Sequence, residues 1–173
     1  AQRPLLLIGG GCVAQPEAVR RLAETLDAPT ALTINAKGLL PAAHPLLIGS
    51  NQSLPPVRRL ALDADLVLAI GTELGETDYD VVFDGNFRLG GELIRIDIDA
   101  AQLQRNQQPV LAIHSDAGLA IEALLEQLPQ RICAGQSRGA ERASGVRQQL
   151  AEEFSGWAHY CLLYTSDAAD EGL

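Results

Sequence analysis

An α/β fold, a parallel sheet with helices on both faces, is what this 173-residue sequence predicts. Three observations carry it. Leu5-Leu6-Leu7-Ile8 and Leu66-Val67-Leu68-Ala69-Ile70 are apolar at every position, which suits strands buried on both faces better than alternating, half-exposed ones. Each run opens into glycine, Gly9-Gly10-Gly11 after the first and Gly71 after the second. Between such runs lie segments with apolar residues at three-and-four spacing, so strands alternate with helices in a Rossmann-like manner.

In chain order, the first strand is Leu5 to Ile8. A helix follows from Pro16, whose fixed φ suits a first turn, with Val19, Leu22, Ala23 and Leu26 on one face. Asp27-Ala28-Pro29 ends it, Thr30 to Ile34 reads as the second strand, and Asn35 to Gly38 breaks that. Residues 39–56 mix Pro, His, Ser, Asn and Gly and read as one long loop. Val57 to Leu62 is a short helix leading into the strand 66–70, and residues 75–91 are irregular, with Tyr79, Val82, Phe83 and Phe87 available to pack them down. Leu93 to Ile96 is a strand ending in Asp97-Ile98-Asp99. Asp99 and Gln102 have capping-box spacing. Val110 to Ile113 is the last strand, and Asp116 caps a helix whose apolar face is Leu119, Ile121, Leu124, Leu125 and Leu128.

Pro129 is expected to close the first domain, residues 1–129. Residues 130–145 read as a linker, and 146–160 as an amphipathic helix that begins a downstream domain. The sequence holds no methionine, so it is expected to be a fragment of a longer polypeptide. Residues 161–173, starting Cys161-Leu-Leu-Tyr-Thr-Ser, look like the translation of a sequencing-library adapter and are set aside.

Composition narrows the function classes. With 47% apolar and 20% charged residues the chain is an ordinary globular one, and a net charge of −9 without a basic stripe argues against nucleic acid. No apolar run is long enough to cross a membrane and no leader is recognisable, so the expected location is cytoplasmic. Cys12, Cys133 and Cys161 form no CxxC pair, which suggests neither disulfides nor a zinc knuckle.

Ligand chemistry in open α/β sheets collects beyond the strand carboxyl ends. Gly9-Gly10-Gly11-Cys12-Val13-Ala14 fits the loose form G-x-G-x-x-[GA], a weak signal for a backbone that approaches a pyrophosphate, with a tight turn as the alternative. A dinucleotide site also wants an acid at the end of the second strand, where this chain has Thr33 and Asn35. Gly71-Thr72-Glu73 is the second candidate wall. Asp97, Asp99 and Asp116 follow strands and suit ribose binding or helix capping, and Lys37 suits a phosphate or simple solvation. There is no G-x-S-x-G, and His44, His114 and His159 lack ligand-spaced companions, so no catalytic residue and no metal site is assigned.

Five stretches in register, PLLLIGGG, APTALTINAKGLLPAAHPLLIG, DADLVLAIGTELGETDYD, LIRIDIDAAQLQRN and AIHSDAGLAIEALLEQL, resemble the central domain of thiamine-diphosphate-dependent enzymes of the acetolactate synthase type. The resemblance covers residues 3 to 128, and the GTELGETDYD and DGNF segments are most similar to the 5-guanidino-2-oxopentanoate decarboxylase branch. It implies a parent with an amino-terminal pyrimidine-binding domain and a carboxyl-terminal diphosphate-binding domain, entered at residue 146. Thiamine diphosphate and Mg2+ would be bound outside this segment, which would be inactive alone. The implied parent acts on a small-molecule 2-oxo acid by decarboxylation or carboligation and assembles as a homo-dimer or homo-tetramer.

In flavin-containing relatives this domain holds FAD. The matching positions are Gly9, Gly10, Gly11, Thr33, Asn35, Gly71, Thr72, Glu73, Asp97 and Asp116. Where those relatives read G-x-R-x-D-x-R, this chain has Glu73, Gly75 and Thr77, so a carboxylate replaces a cation and FAD is expected to bind weakly or not at all. The competing readings are a stand-alone nucleotide- or flavin-binding module on the same sheet, and an NAD-dependent deacylase, which the missing paired CxxC motifs disfavour.

Overall fold

The computed structural model describes residues 1–79, 87–128 and 138–170, with side chains as far as residue 156. The expected packing roles of Val82 and Phe83, most of the DGNF segment, Pro129, the first part of the expected linker and residues 171–173 lie outside the described residues.

Six strands, β1 (Pro4–Ile8), β2 (Thr30–Leu32), β3 (Leu47–Gly49), β4 (Leu66–Ile70), β5 (Glu92–Asp97) and β6 (Leu111–His114), form one sheet in the order β3-β2-β1-β4-β5-β6. Every pairing is parallel, with Ile8 level with Ile70 and Ile70 level with Ile96. The helices are α1 (Pro16–Leu26), α2 (Pro55–Asp63), α3 (Glu76–Tyr79), α4 (Ala117–Gln127) and α5 (Gly139–Asp170).

Period-two alternation divides each apolar strand between two cores. Leu6, Ile8, Leu68, Ile70 and Ile96 meet α1 and α4 on one face. Leu5, Leu7, Val67, Ala69 and Leu93 meet α2 and α5 on the other. A strand apolar at every position is therefore one that feeds both layers. α1 starts at Pro16 and stops where Asp27 turns left-handed at φ 45°, its amide returning to the carbonyls of Ala23 and Glu24.

The structure departs from the sequence expectation at several places, among them α3 inside the stretch expected to be irregular and Leu119, 72% exposed although expected on the apolar face of α4. The loop 39–56 contains β3, a short edge strand that Gly49 ends at φ 84° and whose pairing with β2 shifts register between Thr30 and Ala31. The second strand stops at Leu32, and Ile34–Ala36 coil into a 3-10 turn. Helix α5 begins at Gly139, seven residues before Val146, and buries Ala143, Val146 and Leu150 in the second core. The last strand also differs in environment, since Val110 and Leu111 are 65% and 49% exposed at the open edge of the sheet.

The order turns around at the β1–β4 pair, where the chain leaves the sheet in opposite senses. That reversal opens a crevice at the carboxyl ends of the strands.

Candidate functional site

The loops after β1 and β4 meet backbone to backbone. The Gly9 amide donates to the Ile70 carbonyl at 2.9 Å, the Gly11 amide to the Gly71 carbonyl at 3.1 Å, and the Gly71 amide to the Ile96 carbonyl at 2.9 Å. A Cβ on Gly9 would lie 2.1 Å from the Gly71 carbonyl oxygen, and one on Gly11 would lie 2.9 Å from the Gly71 Cα. Gly71 itself sits at φ +58°. The glycines thus let two loops close on one another. Beneath the seam the Cys12 thiol lies 3.6 Å from the Ile70 carbonyl. Burial, reinforced by the Asp116 and Asp97 carboxylates, pushes that thiol up to about 12.

Beside the seam lies a cavity of about 270 Å³ walled by Gly11, Gly71, Glu73, Asp97, Ile98, Asp99, Gln102, Asp116 and Ala117. Four of the nine are carboxylates and none is a cation. Three of the carboxylates hold backbone. Asp97 accepts from the Asp99 amide at 2.9 Å, Asp99 from the Ala101 amide at 2.8 Å, and Asp116 from the Leu119 amide at 3.1 Å, the last being the N-cap of α4. Glu73 is exposed, and its carbonyl accepts from the Asn106 side chain at 3.1 Å. The Gln102 side-chain oxygen is buried without a hydrogen-bond partner among the described residues.

Arg95 lies two residues before Asp97 on the same side of β5, within the sheet and not at its carboxyl end. Arg95 is 1% exposed and donates to the carbonyls of Thr72, at 3.0 Å, and Arg105. Burial lowers its pKa, against the raising effect of Asp97 and Tyr79. The Thr72 and Tyr79 hydroxyls are 3.2 Å apart, and Tyr79 stacks edge-to-face on Phe87 with centroids at 4.8 Å. Burial raises the Tyr79 pKa, so its hydroxyl stays protonated and can donate. Leu74, fully buried at φ 50°, is held in that left-handed conformation while its amide reaches the Thr72 hydroxyl at 3.4 Å. Asp78 on α3 accepts the Ile34 amide at 2.8 Å and ties the segment after β4 to the turn after β2.

Of the ten expected site residues, Gly11, Gly71, Glu73, Asp97 and Asp116 come together on the cavity wall. Gly9 and Gly10 lie behind it, Gly10 facing the Asn35 Cβ at 3.1 Å for any added side chain. Asn35 is exposed. Thr33 is buried, its hydroxyl unpartnered among the described residues. Thr72 is buried too, and its polar atoms face Tyr79 and Arg95. Lys37 is exposed after the 3-10 turn.

Asp99 was expected to cap a helix or hold a ribose, and Gln102 only as the partner of Asp99 in a capping box. The box does not form, since Asp99 takes the Ala101 amide and the Gln102 amide goes to the Asp99 carbonyl. The available signal was the Asp97-Ile98-Asp99 spacing at the end of a strand, where every second side chain returns to the same side.

Chemically the wall repels anions. A phosphate entering it would meet four carboxylates, and the Leu119 amide of α4 is already taken by Asp116. Among the described residues no group of three His, Cys, Asp or Glu side chains is placed to hold a metal ion. No helix among them is long and apolar enough to cross a membrane.

Comparison with known proteins gives one family. The family model described as "Thiamine pyrophosphate enzyme, central domain" matches residues 1–124. A probable 2-ketoarginine decarboxylase, AruI, of Pseudomonas aeruginosa is 38% identical over 150 residues, which cover 87% of this chain and 26% of that protein. The large subunit of acetolactate synthase isozyme 1 of Escherichia coli is 35% identical over 130 residues, covering 74% and 22%. A probable chloroplastic acetolactate synthase 2 of Oryza sativa is 29% identical over 161 residues, covering 91% and 22%. The chain spans about a quarter of the length of the curated relatives it matches.

Proposed function

The chain belongs to the thiamine pyrophosphate enzymes, as their central domain, and from that premise we propose that it is the scaffold domain of a longer 2-oxo acid decarboxylase or carboligase. The observation that carries the scaffold role is the state of the crevice. Three of its four carboxylates, Asp97, Asp99 and Asp116, are spent on holding backbone, and the fourth, Glu73, is exposed. In this reading thiamine diphosphate and Mg2+ are bound by other domains of the parent. When bound there, the cofactor supplies the electron sink for loss of carbon dioxide from a 2-oxo acid. This chain supplies a rigid sheet and a surface for its neighbouring domains.

The substrate to try first is 2-ketoarginine, on the strength of the 38% identity to a protein bearing that activity in its name. Cytoplasmic location and assembly as a homo-dimer or homo-tetramer complete the reading. FAD does not fit the crevice, whose wall lacks any cation to meet a pyrophosphate and carries Glu73 at the mouth.

Two measurements test this. The full-length parent, given thiamine diphosphate and Mg2+, is expected to release carbon dioxide from 2-ketoarginine or another 2-oxo acid, while residues 1–160 alone release none. Turnover by the isolated segment would overturn the scaffold role. Titrating FAD into the purified chain is expected to give no saturable quenching of flavin fluorescence, and Glu73→Arg is expected to strengthen whatever binding exists. A stoichiometric yellow cofactor retained by the purified parent would sink the FAD statement and leave the scaffold role standing.

A further inference from the structure

We infer that α5 is a strap built into this domain, whose opening turns close the second face of the sheet and pin the edge strand β3. The inference does not depend on the proposed activity. Sequence pattern alone places residues 130–145 in a linker, and the family match ends at residue 124, so nothing but the packing assigns α5 to this folding unit.

Four kinds of contact carry it. Ala143, Val146 and Leu150 recur on one helical face and are 0%, 6% and 5% exposed, joined to the core that holds Ala31, Ile48 and Val57. The Gly139 amide donates to the Asp27 carboxylate at 2.9 Å, and a Cβ on Gly139 would lie 1.9 Å from the Asp27 carbonyl oxygen, so the helix starts against the end of α1. Arg142 donates to the Pro4 carbonyl at 2.9 Å, where β1 begins. Arg147 donates through one nitrogen to the carbonyls of Pro45 and Leu47, at 2.7 and 2.8 Å.

The last contact explains why so short a strand as β3 holds its place. Among the described residues β3 pairs only with β2, so its outer side lies at the edge of the sheet. A guanidinium occupies the Leu47 carbonyl there, and the helix carrying it covers the strand. Beyond β3 the chain runs to Gln52, which is 1% exposed and donates to the Leu32 carbonyl at 2.7 Å. The strap therefore sets the position of β3 and, through it, the end of β2 beside the crevice.

Hydrogen exchange of the full chain, read by peptide mass spectrometry across a denaturant series, tests the strap. Peptides from residues 140–150 are expected to lose protection together with β1 and β4. Arg147→Ala is expected to raise exchange in β3 about tenfold, the factor that follows from losing the charge-assisted contact that one guanidinium nitrogen shares between two carbonyls, and to leave β5 and β6 unchanged. Val146→Asp is expected to abolish cooperative unfolding, and the milder Val146→Ala to lower its midpoint. The strap is refuted if α5 opens at a denaturant concentration where β1 and β4 stay protected. It is equally refuted if Arg147→Ala leaves β3 exchange unaltered, or if the Val146→Asp chain keeps a protected sheet with α5 unfolded.

Discussion

At the amino end of the sheet, Arg142 and Arg147 reach the carbonyls of Pro4, Pro45 and Leu47. At the carboxyl end, Asp97, Asp99 and Asp116 take the amides of Asp99, Ala101 and Leu119. These two sets of contacts differ in charge for one reason, although at the amino end the Asp65 carboxylate also accepts the Gln2 and Arg3 amides. Helices and turns that follow the strands start at the carboxyl end and present free N–H groups, which call for acceptors. Carbonyls left over where the strands begin call for donors. A nucleotide phosphate would use the N–H groups at the carboxyl end, and here aspartates hold several of them first. The comparison teaches that the charges at the mouth are structural groups, and that a ligand would have to compete with them.

Substitutions can break this contrast, beginning with the seam that separates the mouth from the core. Gly9→Ala drives a Cβ to 2.1 Å from the Gly71 carbonyl oxygen, backbone that cannot give way. The expected cost is above about 4 kcal/mol, seen as loss of a cooperative thermal transition. Gly118→Ala is its control. There the added Cβ meets the Cγ of the flexible Gln15 side chain at 2.9 Å, and the change should stay within about 1 kcal/mol.

Arg95→Leu should rank next. It strands the buried Thr72 carbonyl and frees the part-buried Arg105 carbonyl, for about 3 kcal/mol by denaturant titration. Arg147→Ala at the half-buried amino end should cost less, about 1.5 kcal/mol, because water can replace part of what it held. Equal effects would erase the distinction between the inner and outer cations. Asp116→Ala should cost about 1 kcal/mol through the lost cap of α4, again by denaturant titration.

The smallest effect concerns pH. The Cys12 thiol is pushed up to about 12 when folded, against 9.0 for an unperturbed thiol. Its folded pKa is raised, so the unfolded chain loses the proton first. Stability from this group is intact below 9.0 and declines as pH rises from there toward about 12. Cys12→Ala should flatten that part of the stability profile, measured as melting temperature against pH relative to the parent chain.

Wholly apolar strands, the helix starts at Pro16 and Asp116, and the glycines after β1 and β4 were legible in the sequence, because each is written in adjacent residues. A strand buried on both faces is apolar wherever its side chains find no hydrogen-bond partner, and the loop crossing here leaves no room for a Cβ. The sequence also placed Gly11, Gly71, Glu73, Asp97 and Asp116 at strand ends, and the fold gathered those five around one cavity. It could not show that Thr72 turns its polar atoms toward Tyr79 and Arg95, since that depends on a strand 23 residues further along the chain.

β3 was hidden because three residues carry too little pattern, and its stability comes from β2 on one side and Arg147 on the other. α5 read as a helix of another domain because amphipathicity tells that a face is buried and not against what. The strand order, the burial of Arg95 and the strap at the amino end were decided only by tertiary structure. Local sequence sets which residues must leave water, and the pairing of distant segments sets which partners they find there.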